Sequence, residues 1–338
     1  MKELIDPQGR PTFGVFDDAV QSVNVQDYVH RTPIGARASR WSSWVGFKQF
    51  QYFGVISDQL MFGCALAHLR HAAVAFAYAY EPGVGMVVER SVQAPLGLGA
   101  SLSTSPVQGQ SIFRFRGIDA SLGYDDAPRS KSIRLRVGDS LAVDASFDET
   151  ATKFQPMSIC TRIGRNGWVY AHKVAGVPVA GTIVVNGKTI DLHAINAYAH
   201  HDFSAGYMRR ETFWNWACLS GRSEDGTEIG LNVSCGVNET SFSENCLWFD
   251  GRLVRVGLCR FDYDWDDPLR AWRIESEDGA IALDFAPKGQ HKERQRLGLV
   301  ASDFKQVFGV FNGTVHDDGR TVSIRNQHGF VEDQYAKW

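Results

Sequence analysis

The dipeptide Asn186-Gly187 splits GTIVVNGKTIDL into two short β-prone runs. Two consecutive residues that tolerate positive φ make the tight turn that matches strand twist, so the segment predicts a two-residue hairpin. The pattern recurs. Glu224-Asp225-Gly226-Thr227 separates Phe213–Ser220 from Glu228–Cys235, and Asp250-Gly251 separates Leu247–Phe249 from Leu253–Val256. Asp278-Gly279 and Asp318-Gly319 divide two further pairs, at 273–276 with 281–285 and at 308–315 with 321–324. Hairpins at such short spacing predict an all-β chain of antiparallel sheets, closed as barrels or stacked as sandwiches. In the first half, Ala73, Ala75, Ala77 and Ala79 alternate with Val74, Phe76, Tyr78 and Tyr80. Period two places every large side chain on one strand face, whereas a helix would scatter them. Trp41–Val55, WSSWVGFKQFQYFGV, is aromatic-rich and is also expected to be strand. No G-x-G-x-x-G or G-x-x-x-x-G-K motif marks a nucleotide cradle.

A chain of 338 residues exceeds the usual single core, which predicts two domains or one large β domain. Acidic and basic residues are balanced at a net charge of −3 with no Lys/Arg cluster, so nucleic acid is not an expected partner. The six cysteines form no C-x-x-C pair, and most sit in apolar runs where a thiol acts as a small hydrophobe. The start, MKELIDPQGRP, lacks the apolar stretch of a secretory signal. No run reaches the roughly 18 apolar residues of a membrane helix, because His68, Arg70 and His71 interrupt the best one. A cytoplasmic location is the expectation.

The densest chemistry lies between Asn196 and Asp250. His200, His201 and Asp202 are consecutive, so on a strand His200 and Asp202 share one face and His201 takes the other. An acid or imidazole against apolar walls moves its pKa towards neutrality, which suits it to proton transfer. His201, Asp202 and Arg210 are therefore the catalytic candidates, with Arg210 either gripping a ligand carboxylate or holding Asp202. Trp214 and Trp216 fall on one strand face, where their π faces could stabilise a cation. His200, Asn232, Glu239, Glu244 and Asn245 complete a candidate ligand-binding set. A buried Asp–Arg–His network that merely ties two shells together explains the same residues without chemistry. Metal is not expected, since adjacent residues cannot all aim at one ion. FDYDWDDP at 261–268 lacks the spacing of a calcium loop and is expected to be an acidic surface loop. No cofactor motif is present.

The runs AYAHHDFSAGYMRRETFWNWACLSG, DGTEIGLNVSCGVNETSFSENCLWFDGRL and GFVEDQYAKW, with GRPTFG and the order RWSSW–YFGVIS–AFAYAYEP, resemble the bacterial family called domain of unknown function 2804. The stretch from Gly181 to Gly206, followed by FWNWACLSGRSEDG, more distantly resembles carotenoid hydratases of the hydroxyneurosporene synthase type. That resemblance implies two packed lipocalin-like β-barrels, with an apolar ligand held near their junction. The positions it matches are Asp202 and Gly206, with Trp214 and Trp216 in the next strand. The expected domains are 1–205 and 206–338. The expected function is binding of a terpenoid or acyl-chain ligand, with hydration or isomerisation by proton transfer as its chemistry. A lipid carrier and a carbohydrate-active protein are the alternatives.

Overall fold

The computed structural model describes residues 3–150, 154–237, 240, 242–297, 300–317 and 319–337, and builds them almost wholly from antiparallel strands. At two of the hairpin turns the backbone takes the expected conformation. Asn186 and Gly187 have φ of 49° and 82°, and Asp250 and Gly251 the same pair of values. Strands Ala180–Val185 and Lys188–Asp191 pair across the first turn, and Cys246–Phe249 and Arg252–Arg255 across the second.

Three sheets result, of eight, seven and nine strands. The eight-stranded sheet is the middle layer. Its central strands are Gly167–Pro178, Tyr198–Gly206, Lys48–Ile56, Met61–His68 and Ala72–Glu81, in that order across the sheet. Register places Tyr52 beside Asp202, Gly54 beside His200, and Gly63 beside Tyr78. Because paired residues share a face, Tyr52, Phe76, Tyr78, Tyr80, Lys173, His200 and Asp202 all point to one side. Gln51, Phe53, His172 and His201 point to the other, towards the seven-stranded sheet, where Phe53 meets Phe147 and Gln51 accepts a hydrogen bond from the Tyr124 hydroxyl.

The nine-stranded sheet is formed by residues 211–337 and curls into a half-barrel. One face of it lies on the aromatic face of the middle sheet. Phe76 meets Phe304, Tyr78 and Tyr80 meet Phe308, and Tyr52 meets Trp216. These contacts join both halves of the chain in one hydrophobic cluster, while a second cluster fills the half-barrel alone. Burial of each large ring contributes about 1.5–3 kcal/mol, so the seam is held chiefly by its aromatics. At one point backbone touches backbone across it. A Cβ at Gly230 would lie 1.9 Å from the Ala175 carbonyl oxygen, and one at Gly176 would lie 2.8 Å from the Gly230 nitrogen. Gly176 has φ of 86°, sits at a bulge, and donates its N–H to the Ser220 hydroxyl at 3.0 Å.

Two local expectations are corrected. Arg40–Gly46, overlapping the stretch Trp41–Val55 expected to be strand, is a short helix whose N-cap Ser39 accepts a hydrogen bond from the Ser42 N–H. Capping and the stacking of Trp41 on Trp44, three residues apart, outweigh the β preference of aromatic side chains there. The short runs expected at 281–285, 308–315 and 321–324 belong to strands of 17, 18 and 18 residues, Ile281–Leu297, Val300–Asp317 and Arg320–Lys337. Polar residues near 290–306 and 325–328 conceal this continuity, and bulges at Pro287/Gly289 and Phe311/Gly313 bend the strands without ending them. No helix of the described residues is long and apolar enough to cross a membrane.

Candidate functional site

Asp202 lies at the seam, 6% exposed, and the Lys173 ammonium meets its carboxylate at 3.1 Å. Glu244 reaches the same ammonium from the other half of the protein, at 2.6 Å. The Ser204 hydroxyl donates to Asp202 at 2.9 Å. One buried cation thus serves two buried carboxylates, and it also stands 4.9 Å above the Trp216 ring. Burial alone would pull the Lys173 ammonium down, but Asp202 and Glu244 together hold it above the ordinary lysine range. The surplus negative charge falls on Asp202, whose carboxyl is pushed up by burial and by Glu244 against the opposing pull of Lys173.

A further acid completes the cluster. Glu332 is buried between the two halves, where it accepts hydrogen bonds from the Trp214 indole at 3.2 Å and the Gln306 amide at 2.7 Å. Burial raises its carboxyl to about 8, although those two donors and Lys173 oppose the shift. At neutral pH it is mostly a neutral acid. Tyr52 and Tyr78 share a hydroxyl–hydroxyl hydrogen bond of 2.7 Å on the facing wall, and burial pushes both phenols up. His200 packs between Tyr52 and Phe330, tilted by 32° and 48° to their rings, in the space that Gly54 leaves by lacking a Cβ. Its imidazole is pushed down to about 3 by burial, and neither ring nitrogen has a hydrogen-bond partner among the described residues.

The remaining candidates divide. Trp216 is buried and donates its indole N–H to Asn232 at 2.7 Å, and Asn232 donates to the Glu244 carbonyl at 2.9 Å. Asn232 therefore faces the seam. Asn245 is buried too, but its side chain accepts from the Ser234 N–H and donates to the Gly257 carbonyl, which makes it a brace for the loop that carries Glu244. Arg210 is a correction: it is exposed on the link between strands Tyr198–Gly206 and Glu211–Arg222, and Lys173 occupies the place expected for it beside Asp202. His201 is another. Strand alternation turns it away from Asp202 into the two-sheet shell, where it meets Tyr124 and His172. Glu239 lies outside the described residues. Rings line the space beside Asp202, with the centroids of Tyr52, His200, Trp216 and Phe330 4.9–6.4 Å apart where they meet. Two clefts stand out, and neither includes Asp202. One, of about 460 Å³, lies on the outer face of the seven-stranded sheet; the other, of about 720 Å³, lies on the nine-stranded sheet.

Lys173 and Glu332 were the residues that sequence reasoning passed over. Each had a readable signal, an ionisable side chain set among apolar neighbours in YAHKVAG and in GFVED.

The whole chain, residues 1–338, matches the family described as Domain of unknown function (DUF2804). The chain belongs to that family. No curated protein matches its sequence. Among solved structures, the DUF2804 chain is similar to CghA, at 10% identity and a TM-score of 0.55, over 100% of this chain and 97% of that one. It is similar to kievitone hydratase from Nectria haematococca, at 11% identity and a TM-score of 0.50, over 100% and 99% of the two chains. It is also similar to a putative AttH from Nitrosomonas europaea, at 12% identity and a TM-score of 0.50, over 85% and 91%. At these identities the likeness concerns the fold of the DUF2804 protein, which is the all-β, lipocalin-like architecture shared with a hydratase.

Proposed function

We propose that the seam is the functional site, and that its ring wall parts to admit an uncharged, largely hydrophobic molecule of terpenoid or acyl-chain type, to which it transfers a proton. The observation that carries this reading is Glu332, a carboxyl raised to about 8 on a wall of aromatic rings. A neutral acid in a dry aromatic site can protonate an alkene, and the π faces of Trp214 and Trp216 offset the positive charge that develops. In a hydration, the Glu332 proton would form the new C–H bond and water would add to the cation. The proton that the added water releases would restore the acid. In an isomerisation, a neighbouring carbon would give the proton back. Asp202, held by Lys173, is the proposed second acid–base group. The fold shared with kievitone hydratase accords with hydration chemistry. A cytoplasmic setting is part of the proposal and fits the buried free thiols of Cys64, Cys160, Cys218, Cys246 and Cys259.

Native mass spectrometry of the protein purified from its own host is the first test. A retained apolar small molecule is expected; a protein that carries none counts against the reading. The captured molecule is then incubated with protein in deuterated water. Wild type should incorporate deuterium into it, and Glu332→Gln should bind it with at least a hundredfold slower incorporation. Equal incorporation by the variant removes Glu332 from the chemistry, and binding with no incorporation by wild type makes the protein a carrier.

A further inference from the structure

The acidic run FDYDWDDP plays no part at the seam. It begins in strand Cys259–Asp262 and continues as a loop in which Asp264 accepts the N–H groups of Asp266 and Asp267 and pairs with Arg270 at 3.0 Å, so its acids satisfy one another's backbone and a neighbouring arginine. Two of its three aromatics, Tyr263 and Trp265, line the cleft of about 720 Å³ on the nine-stranded sheet. Tyr263 stacks on Trp272 with 3.7 Å between centroids and meets Asn215 through its hydroxyl at 3.2 Å. Trp265 stays 74% exposed, and across the cleft Phe213 is 61% exposed. Tyr335 adds a third open ring. Such rings gathered in one concavity form a surface that water covers poorly.

The polar part of the lining decides what suits it. Lys305 pairs with Asp333 at 2.8 Å in the cleft wall, and Arg294 pairs with Asp303 at the rim. Every charge in the lining is thus matched, and the cleft offers no net attraction to an ion. An acyl chain would strip water from the Lys305–Asp333 pair and offer its remaining donor and acceptor sites nothing in return. A neutral polyol with apolar C–H faces meets both requirements. Its faces stack on Trp265, Phe213 and Tyr335 while its hydroxyls bond to Asp333 and Lys305. We propose that this cleft is a carbohydrate-binding site for a short pyranose oligosaccharide. It lies on the opposite face of the nine-stranded sheet from the seam and does not depend on the reading given to the seam.

The test is titration calorimetry and saturation-transfer NMR with cellopentaose, maltopentaose, xylopentaose and chitopentaose, and with decanoate as the amphiphile arm. At least one oligosaccharide should bind saturably at millimolar concentration or below. The same sugar should bind at least tenfold more weakly to Trp265→Ala and to Phe213→Ala, whose exposed side chains leave the fold unburdened. Asp202→Asn should leave sugar binding unchanged. Saturable binding of decanoate alone, no saturation by any of the four sugars, or full-strength sugar binding by both aromatic variants would each overturn the proposal.

Discussion

Lys173 is the side chain on which the largest local penalties converge, because it is the cation that balances Asp202 and Glu244 at the seam. Removing one partner from a buried ion cluster costs about 3–5 kcal/mol, since the carboxylates left behind keep their desolvation and lose their attraction. Lys173→Met should therefore lower the urea-unfolding free energy by that amount, and the triple variant with Asp202→Asn and Glu244→Gln should recover most of it. Glu332 makes a prediction of opposite character. Its folded-state value of about 8 lies above the ordinary 4.5, so between those pH values the unfolded chain gives up a proton that the folded one keeps. Its contribution to stability is thus fully present below about pH 4.5, falls as pH rises, and is flat above pH 8. Glu332→Gln should become steadily more stable relative to wild type from pH 5 to pH 8, by a few kcal/mol across the range, read from denaturant midpoints. A constant difference would mean that the carboxyl is ionised throughout.

Strand Tyr198–Gly206 shows how much could be read from the chain and where reading stopped. Period two assigned His200 and Asp202 to one face and His201 to the other, and the alternation of Ala73–Tyr80 put its large rings on a common side, as the structure has them. The hairpin turns were legible because Asn-Gly and Asp-Gly satisfy a backbone demand that few pairs meet. The partners across the seam were not legible. That Lys173 rather than Arg210 would meet Asp202 depends on which strand lies next to Tyr198–Gly206, and strand order between distant segments leaves no local mark. Glycines on the neighbouring strands make a prediction at this scale. A Cβ at Gly54 would lie 2.1 Å from the His200 imidazole, and one at Gly63 would lie 2.3 Å from the Tyr52 hydroxyl. Gly54→Ala and Gly63→Ala should each destabilise by about 1–3 kcal/mol through overpacking, measured by thermal unfolding. His200→Ala should relieve the first substitution and leave the second untouched.

For the molecule as a whole, His172, His200 and His201 are buried with their imidazoles held below the ordinary range by the cost of charging them in an apolar interior. As pH falls below about 6.5 the unfolded chain takes up protons that the folded one refuses, so this part of the stability is lost on acidification. Three imidazoles outnumber the two raised carboxyls, Glu332 and Asp202, there, while above pH 6.5 the falling contribution of Glu332 continues. Stability should therefore pass through a maximum between about pH 6 and 7, a curve that denaturant titrations at unit pH steps would trace. At the crossing of Gly176 and Gly230, with no side chain on either, the two halves have no cushion between them to compress or slide. Cutting the link at 207–210 would yield two pieces, each with a bare aromatic flank that only the other can cover. Produced separately they should precipitate, and produced together they should be recovered as one non-covalent particle.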